Sequence, residues 1–89
     1  MTKADVIARV ASQTGLSKVD VREVVEGFLD AVKFSLKKED PLEIRGFGTF
    51  YVVNRAPRTA RNPRTGAEVK IPSRKQPVFK PSKEIKNIF

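Results

Sequence analysis

Asn54-Arg55-Ala56-Pro57-Arg58-Thr59-Ala60-Arg61-Asn62-Pro63-Arg64-Thr65-Gly66 holds four arginines and two prolines and no large aliphatic or aromatic side chain. Such a stretch cannot bury apolar surface of its own, and in isolation it reads as a mobile basic loop. Its flanks argue for something more ordered. Thr49-Phe50-Tyr51-Val52-Val53 before it and Glu68-Val69-Lys70-Ile71 after it have the composition and alternation of strands. Asn62-Pro63-Arg64-Thr65-Gly66 has the chemistry of a hairpin tip, with Pro fixing φ and Gly accepting φ > 0. Together they predict a long hairpin whose distal part, residues 54–75, leaves the body of the protein. Arginines three apart cannot all face one side of a flat strand, so Pro57 is expected to mark a bulge or a twist.

Toward the N-terminus, Leu42-Glu43-Ile44-Arg45 alternates like a half-buried strand, and Gly46-Phe47-Gly48 reads as a tight turn. Two helices come before them. Thr2 and Asp5 resemble a capping box, Val6, Ile7, Val10 and Ala11 recur at helical spacing, and Gly15 suits a left-handed terminus, giving a helix over about 3–14. Ser17 caps a longer helix with Val21, Val24, Val25, Phe28, Leu29, Val32 and Leu36 on its apolar face, and Pro41 is expected to stop it. Gly27, Ala31 and Phe34 widen that face beyond one stripe, so the helix needs more than one neighbour, and a second copy of the chain is a natural one. At the other end Val78 and Phe79 restore the apolar pattern, and Ser82 caps a short closing helix from Lys83 to about Ile88.

The chain has 89 residues, enough for one modest α+β domain of marginal stability unless something assists it. It contains no Cys and no His, which excludes disulfides and the common zinc sites and leaves oligomerisation as the helper. No metal or cofactor is expected. No apolar run approaches a membrane span, and Met1-Thr2-Lys3-Ala4-Asp5 lacks the apolar region of a signal peptide, so the chain is expected to be cytoplasmic. Its net charge of +8 is unevenly placed. Residues 1–51 hold eight Lys/Arg against eight Asp/Glu, whereas residues 52–89 hold ten against Glu68 and Glu84. Segregation of this kind is the footprint of a polyanion partner.

Other functional classes fit less well. Val10 to Ser17 resembles the turn of a DNA-binding helix-turn-helix, but Ser17 to Asp30 carries two basic residues (Lys18, Arg22) against Asp20, Glu23, Glu26 and Asp30. Inserting that helix in a major groove would bring carboxylates toward phosphates. An RNA reader or ribosome-associated protein is the main rival, yet the arm has no aromatic side chain on which to stack bases. The prolines forbid an amphipathic membrane helix. Without His or Cys, with carboxylates spread over helix faces and no phosphate-cradling glycine loop, an enzyme with a small-molecule substrate is not expected.

Gly46-Phe47-Gly48-Thr49-Phe50, Arg61-Asn62-Pro63-Arg64-Thr65-Gly66 and Phe79-Lys80-Pro81-Ser82-Lys83, taken as an ordered set, make the chain similar to the HU/IHF family of bacterial histone-like, nucleoid-associated DNA-binding proteins. The resemblance spans essentially the whole length. It implies an intertwined dimer with a helical base (1–40), a saddle of three antiparallel strands (from 41–53 and 76–81), a protruding two-stranded β-ribbon arm per subunit (54–75) and a C-terminal helix (82–89). It further implies that the arms embrace the minor groove of double-stranded DNA, with a proline at each tip wedged between base pairs. Pro63 occupies that position; from the residues alone, making the turn is the simpler role for it. Ala60 stands where the family often has Gly, which stiffens the arm locally, and Ser82 replaces a common Gly.

These expectations assign residues as follows. Arg55, Arg58, Arg61, Asn62 and Arg64 on the outgoing strand and tip, and Lys70, Arg74 and Lys75 on the return, contact DNA, because guanidinium groups suit phosphates and narrow minor grooves. Lys3, Lys80, Lys83 and Lys86 are candidates for clamping flanking phosphates; for Lys80 and Lys86 an ordinary solvated lysine is an equal alternative. Phe28, Leu29, Val32, Leu36, Phe47, Phe50 and Phe79 build the dimer core. A homodimer is expected, with a heterodimer of paralogues open, and so is the choice between HU-like binding of low sequence preference and IHF-like site selection.

Overall fold

The first turn of the chain closes on itself. In the computed structural model, which describes residues 1–89 in full, Asp5 N–H donates to Thr2 Oγ1 at 3.2 Å and Thr2 N–H donates to Asp5 Oδ2 at 2.9 Å. This reciprocal capping box opens α1 (Lys3–Thr14). Gly15 ends the helix at φ 77°, its N–H reaching Ala11 C=O at 2.9 Å. Ser17 Oγ then accepts from Asp20 N–H at 3.1 Å and starts α2 (Lys18–Lys37).

The chain divides into two compact units, Met1–Phe34 and Ser35–Phe89. In the first, Ile7 of α1 and Val21 of α2 are almost wholly buried, and Lys3 Nζ meets Glu26 Oε1 at 3.3 Å. Much of the wide apolar face of α2 is not covered by its own unit: Val24, Phe28, Leu29 and Phe34 are exposed, and Val25 and Val32 are half-buried.

The second unit begins with the end of α2, which differs from the expectation. Pro41 does not stop the helix. Asp40 N–H donates to Ser35 C=O at 2.9 Å and Glu39 N–H to Leu36 C=O at 3.1 Å, while Glu39 takes φ 55°. That is a Schellman ending with Glu in the place usually given to Gly, and Pro41 merely follows it.

The strands are β1 (Leu42–Ile44), β2 (Gly48–Arg55), β3 (Arg58–Arg61), β4 (Glu68–Ile71) and β5 (Arg74–Pro81). They form a three-stranded antiparallel sheet in the order β1-β2-β5 and a two-stranded ribbon β3-β4, which is the α+β architecture expected. The turn between β1 and β2 lies earlier than Gly46-Phe47-Gly48. Phe47 N–H closes it onto Ile44 C=O at 3.0 Å with Gly46 at φ 79°, and Gly48 already belongs to β2. Gly48 is needed there for lack of room: a Cβ would stand 2.5 Å from Lys80 O and 2.6 Å from Phe79 Cε1.

Phe79 is the centre of an aromatic cluster, 5.3 Å from the ring of Phe47 and 4.8 Å from that of Phe50. Ser82 N–H donates to Phe47 C=O at 2.8 Å, and Ser82 Oγ accepts from Ile85 N–H at 3.4 Å to cap α3 (Lys83–Lys86). This helix is shorter than expected. Beyond Lys86 the chain tightens into i→i−3 bonds, Ile88 N–H to Ile85 C=O at 3.2 Å and Phe89 N–H to Lys86 C=O at 3.4 Å.

Candidate nucleic-acid interface

The pairing of β2 with β5 runs from Gly48↔Pro81 out to Arg55↔Arg74, and that of β3 with β4 from Arg58↔Ile71 to Arg61↔Glu68. The register does not slip between the two ladders. Three residues beyond Arg55 on one strand and three before Arg74 on the other, Arg58 faces Ile71. Pro57 therefore marks no bulge, since no extra residue sits on either strand. Continuing the count places Pro57 opposite Pro72, and two prolines without N–H donors cannot make the ladder bonds, so the sheet is interrupted in register.

Within each ladder the register decides which side chains share a face, because successive residues of a strand alternate. In the β2-β5 ladder one face carries Phe50 and Phe79, Val52 and Pro77, then Asn54 and Lys75. It is mostly apolar. The other carries Thr49 and Lys80, Tyr51 and Val78, Val53 and Gln76, then Arg55 and Arg74. In the β3-β4 ladder Thr59 and Lys70 share a face with Arg61 and Glu68, opposite to Arg58, Ile71, Ala60 and Val69. Arg55, Arg74 and Lys80 thus share one face of the first ladder, with Lys75 on the other, and at the Pro57 and Pro72 interruption Arg58 and Ile71 line one cleft with Arg55, Arg74 and Gln76.

At the tip, Asn62 N–H donates to Ala67 C=O at 2.9 Å, and Gly66 N–H donates to Asn62 C=O at 2.8 Å with Gly66 at φ 71°. Asn62 Oδ1 accepts from Arg64 N–H at 2.9 Å, and Thr65 Oγ1 from Ala67 N–H at 3.3 Å. Asn62 is consequently occupied with building the turn. Pro63 and Arg64 are exposed at its apex.

The arm cations differ in what they already hold. Lys75 Nζ pairs with Glu39 Oε2 at 2.6 Å, and Lys3 is paired with Glu26, so two of the expected DNA contacts are engaged by carboxylates of the chain itself. Arg55 and Arg74 stand directly opposite one another, an unfavourable like-charge pair, and Arg55 Nε–H is drawn aside to Gln76 Oε1 at 3.0 Å. Arg58, Arg61, Arg64, Lys70 and Arg74 form no ion pair.

On the body, Lys80 of β5 and Lys83 and Lys86 of α3 line one open cleft of about 520 Å³ together with Arg45, Glu43 and Glu84. Arg45 was not among the residues singled out by composition. It sits inside the turn between β1 and β2, in a segment whose charges balance, and only the fold brings it to three lysines far along the chain.

A family described as "Bacterial DNA-binding protein" matches the chain over residues 1–89. DNA-binding protein HU of Geobacillus stearothermophilus is 44% identical over 98% of this chain and 97% of its own length. Integration host factor subunit alpha of Anaeromyxobacter is 41% identical over 98% of this chain and 77% of its own length. Among solved structures, an Anabaena HU cocrystallised with DNA superposes with a TM-score of 0.89 at 26% identity, covering 99% of this chain and 96% of that one. A Thermotoga maritima HU variant gives 0.73 at 31% identity, covering 99% and 97%. In sequence and in fold, this chain belongs to the HU/IHF family of bacterial DNA-binding proteins.

Proposed function

We propose that the chain is an architectural DNA-binding protein that works as a dimer, laying two ribbon arms along the minor groove of duplex DNA and bending it. The observation that carries this reading is that Arg55, Arg74 and Lys80 share one face of the β2-β5 ladder and that Arg58 lines one cleft with Arg55 and Arg74 at the root of the arm, none of the four in an ion pair. A dimer presents these groups twice, giving eight cations along a path suited to phosphates. Asn62 shapes the tip, and Pro63, exposed, rigid and without an N–H to leave unsatisfied, is the wedge that unstacks a base step. Unstacking costs about a few kcal/mol, offset by the contacts that bent DNA makes with the body. Arg61, Arg64 and Lys70 continue this path along the arm, Lys75 flanks it, and Lys3, Lys83 and Lys86 join Lys80 in holding phosphates beyond the bend.

Dimerisation follows from the missing core. Among the large apolar side chains only Ile7 and Val21 are buried, while Phe28 is 46%, Phe34 64% and Phe47 43% exposed. A chain this short with so little buried surface needs a partner, and exposed apolar area of this extent marks an interface. Phe28, Leu29, Val32, Leu36, Phe47, Phe50 and Phe79 fill it, in a homodimer or with a paralogue. The protein so described is cytoplasmic, associates with the nucleoid and compacts DNA with little sequence preference; it has no catalytic step. The relative named integration host factor supports a second reading, site selection through DNA deformability.

Sedimentation equilibrium of the free protein, with anisotropy titrations against duplex DNA and structured RNA of matched length, tests this. A dimer preferring duplex is expected. A monomer, or a preference for RNA, would overturn it. Random against A-tract duplexes separate the two DNA-binding readings.

A further inference from the structure

The cation-bearing face of the hairpin is not basic along its whole length. Between the Thr49–Lys80 pair on the body and the Arg55–Arg74 pair at the root of the arm lie Tyr51 opposite Val78 and Val53 opposite Gln76. From one charged pair to the next is six residues, about 20 Å of strand. On each DNA strand one phosphate falls about every 3.4 Å of helix axis, so a duplex held at both ends of this window passes several of them across it. The window offers few donors. The side chain of Gln76 is engaged with Arg55, and Thr49 borders the cleft beside Lys80. Tyr51 is half-buried, and its hydroxyl is bonded to no other group of the chain.

We propose that Tyr51 is a DNA-contacting residue, its phenolic hydroxyl donating to a backbone phosphate from the uncharged window between Lys80 and the Arg55–Arg74 pair. The inference rests on the DNA-binding reading given above. Val53 and Val78 carry no charge, so they let the duplex come close without fixing it through an ion pair, and the ring stands among them with only its polar edge left to satisfy. The contact is a hydrogen bond to a charged acceptor, which makes it worth about tenfold in affinity. It displaces no counterion, because no cation replaces one.

Tyr51 is the chain's single tyrosine, and there is no tryptophan, so a tyrosine-selective reagent reports on this position alone. Nitration by tetranitromethane, read by mass spectrometry, is to be followed with and without saturating kinked duplex. Tyr51 is expected to react in the free protein and to be protected in the complex. Tyr51→Phe, which keeps the ring, removes the contact from both subunits and is expected to bind the duplex about a hundredfold more weakly with an unchanged slope of log K against log[salt]. Equal nitration in both states, protection already present in the free protein, or Tyr51→Phe binding like wild type would each overturn the proposal. A wild-type protein that fails to bind the duplex at all would instead sink the reading beneath it.

Discussion

Arg74→Gln should move stability and DNA affinity in opposite directions. In the free chain Arg74 faces Arg55 across the ladder, and Arg55 is already turned toward Gln76. Like charges directly opposed in an antiparallel pair destabilise by roughly 0.2–1 kcal/mol. Both groups are exposed, which puts this case at the lower end. Neutralising Arg74 therefore raises the unfolding free energy by a few tenths of a kcal/mol. In the complex each Arg74 neutralises a phosphate, and a dimer has two of them. With a slope of about −0.9 per phosphate, the dependence of log K on log[salt] becomes shallower by about 1.8. Between 50 and 200 mM salt that difference amounts to roughly twelvefold in relative affinity. Anisotropy titrations of a labelled duplex at four salt concentrations measure the slope, and urea unfolding measures stability. Lys75→Gln is the control: Lys75 lies on the opposite face of the β2-β5 ladder and is held by Glu39, so its slope should stay close to wild type. Equal loss of slope in both variants would refute the assignment of faces, and an unchanged slope for Arg74→Gln would refute the phosphate contact.

Three further outcomes are expected. Gly48→Ala forces a methyl group against Lys80 O and Phe79, and overpacking of this kind should cost about 1–3 kcal/mol by denaturant unfolding; a neutral result would mean that β2 and β5 separate easily there. Glu39→Gly relieves a left-handed non-glycine residue and should stabilise by about 1 kcal/mol relative to Glu39→Gln, both variants losing the exposed pair with Lys75; equal stability would show that φ 55° carries no strain. Pro63→Ala should leave the sedimenting species unchanged but reduce the bend of a short duplex; an undiminished bend would remove the wedge role from Pro63.

Much of the local structure was legible because its determinants are neighbours in the chain. Thr2, Asp5 and Gly15 mark both ends of α1 by chemistry that acts within four residues. Asn62 to Gly66 announce the tip in the same way. What escaped had distant or permissive causes. The end of α2 was hidden because Glu39 occupies a position where Gly would have been the signal, and the hydrogen bonds of Ser35 and Leu36 hold it there nonetheless. The faces of the arginines could not be read from their spacing of three. They follow from the pairing within each ladder and from the break at Pro57 and Pro72, where Arg58 comes to line one cleft with Arg55 and Arg74. The engagement of Lys3 by Glu26 and of Lys75 by Glu39, and the gathering of Arg45 with Lys80, Lys83 and Lys86, link residues more than twenty positions apart. Composition counts such charges but cannot pair them.

Energy transfer between dyes at the two ends of a short kinkable duplex is the most direct trial of two paired arms closing on the double helix. Saturation at one dimer per duplex, with a marked rise in transfer as the ends approach, is what the basic faces and the exposed Pro63 require. Binding of single subunits, or tight binding that leaves the end-to-end distance of free DNA, would contradict it.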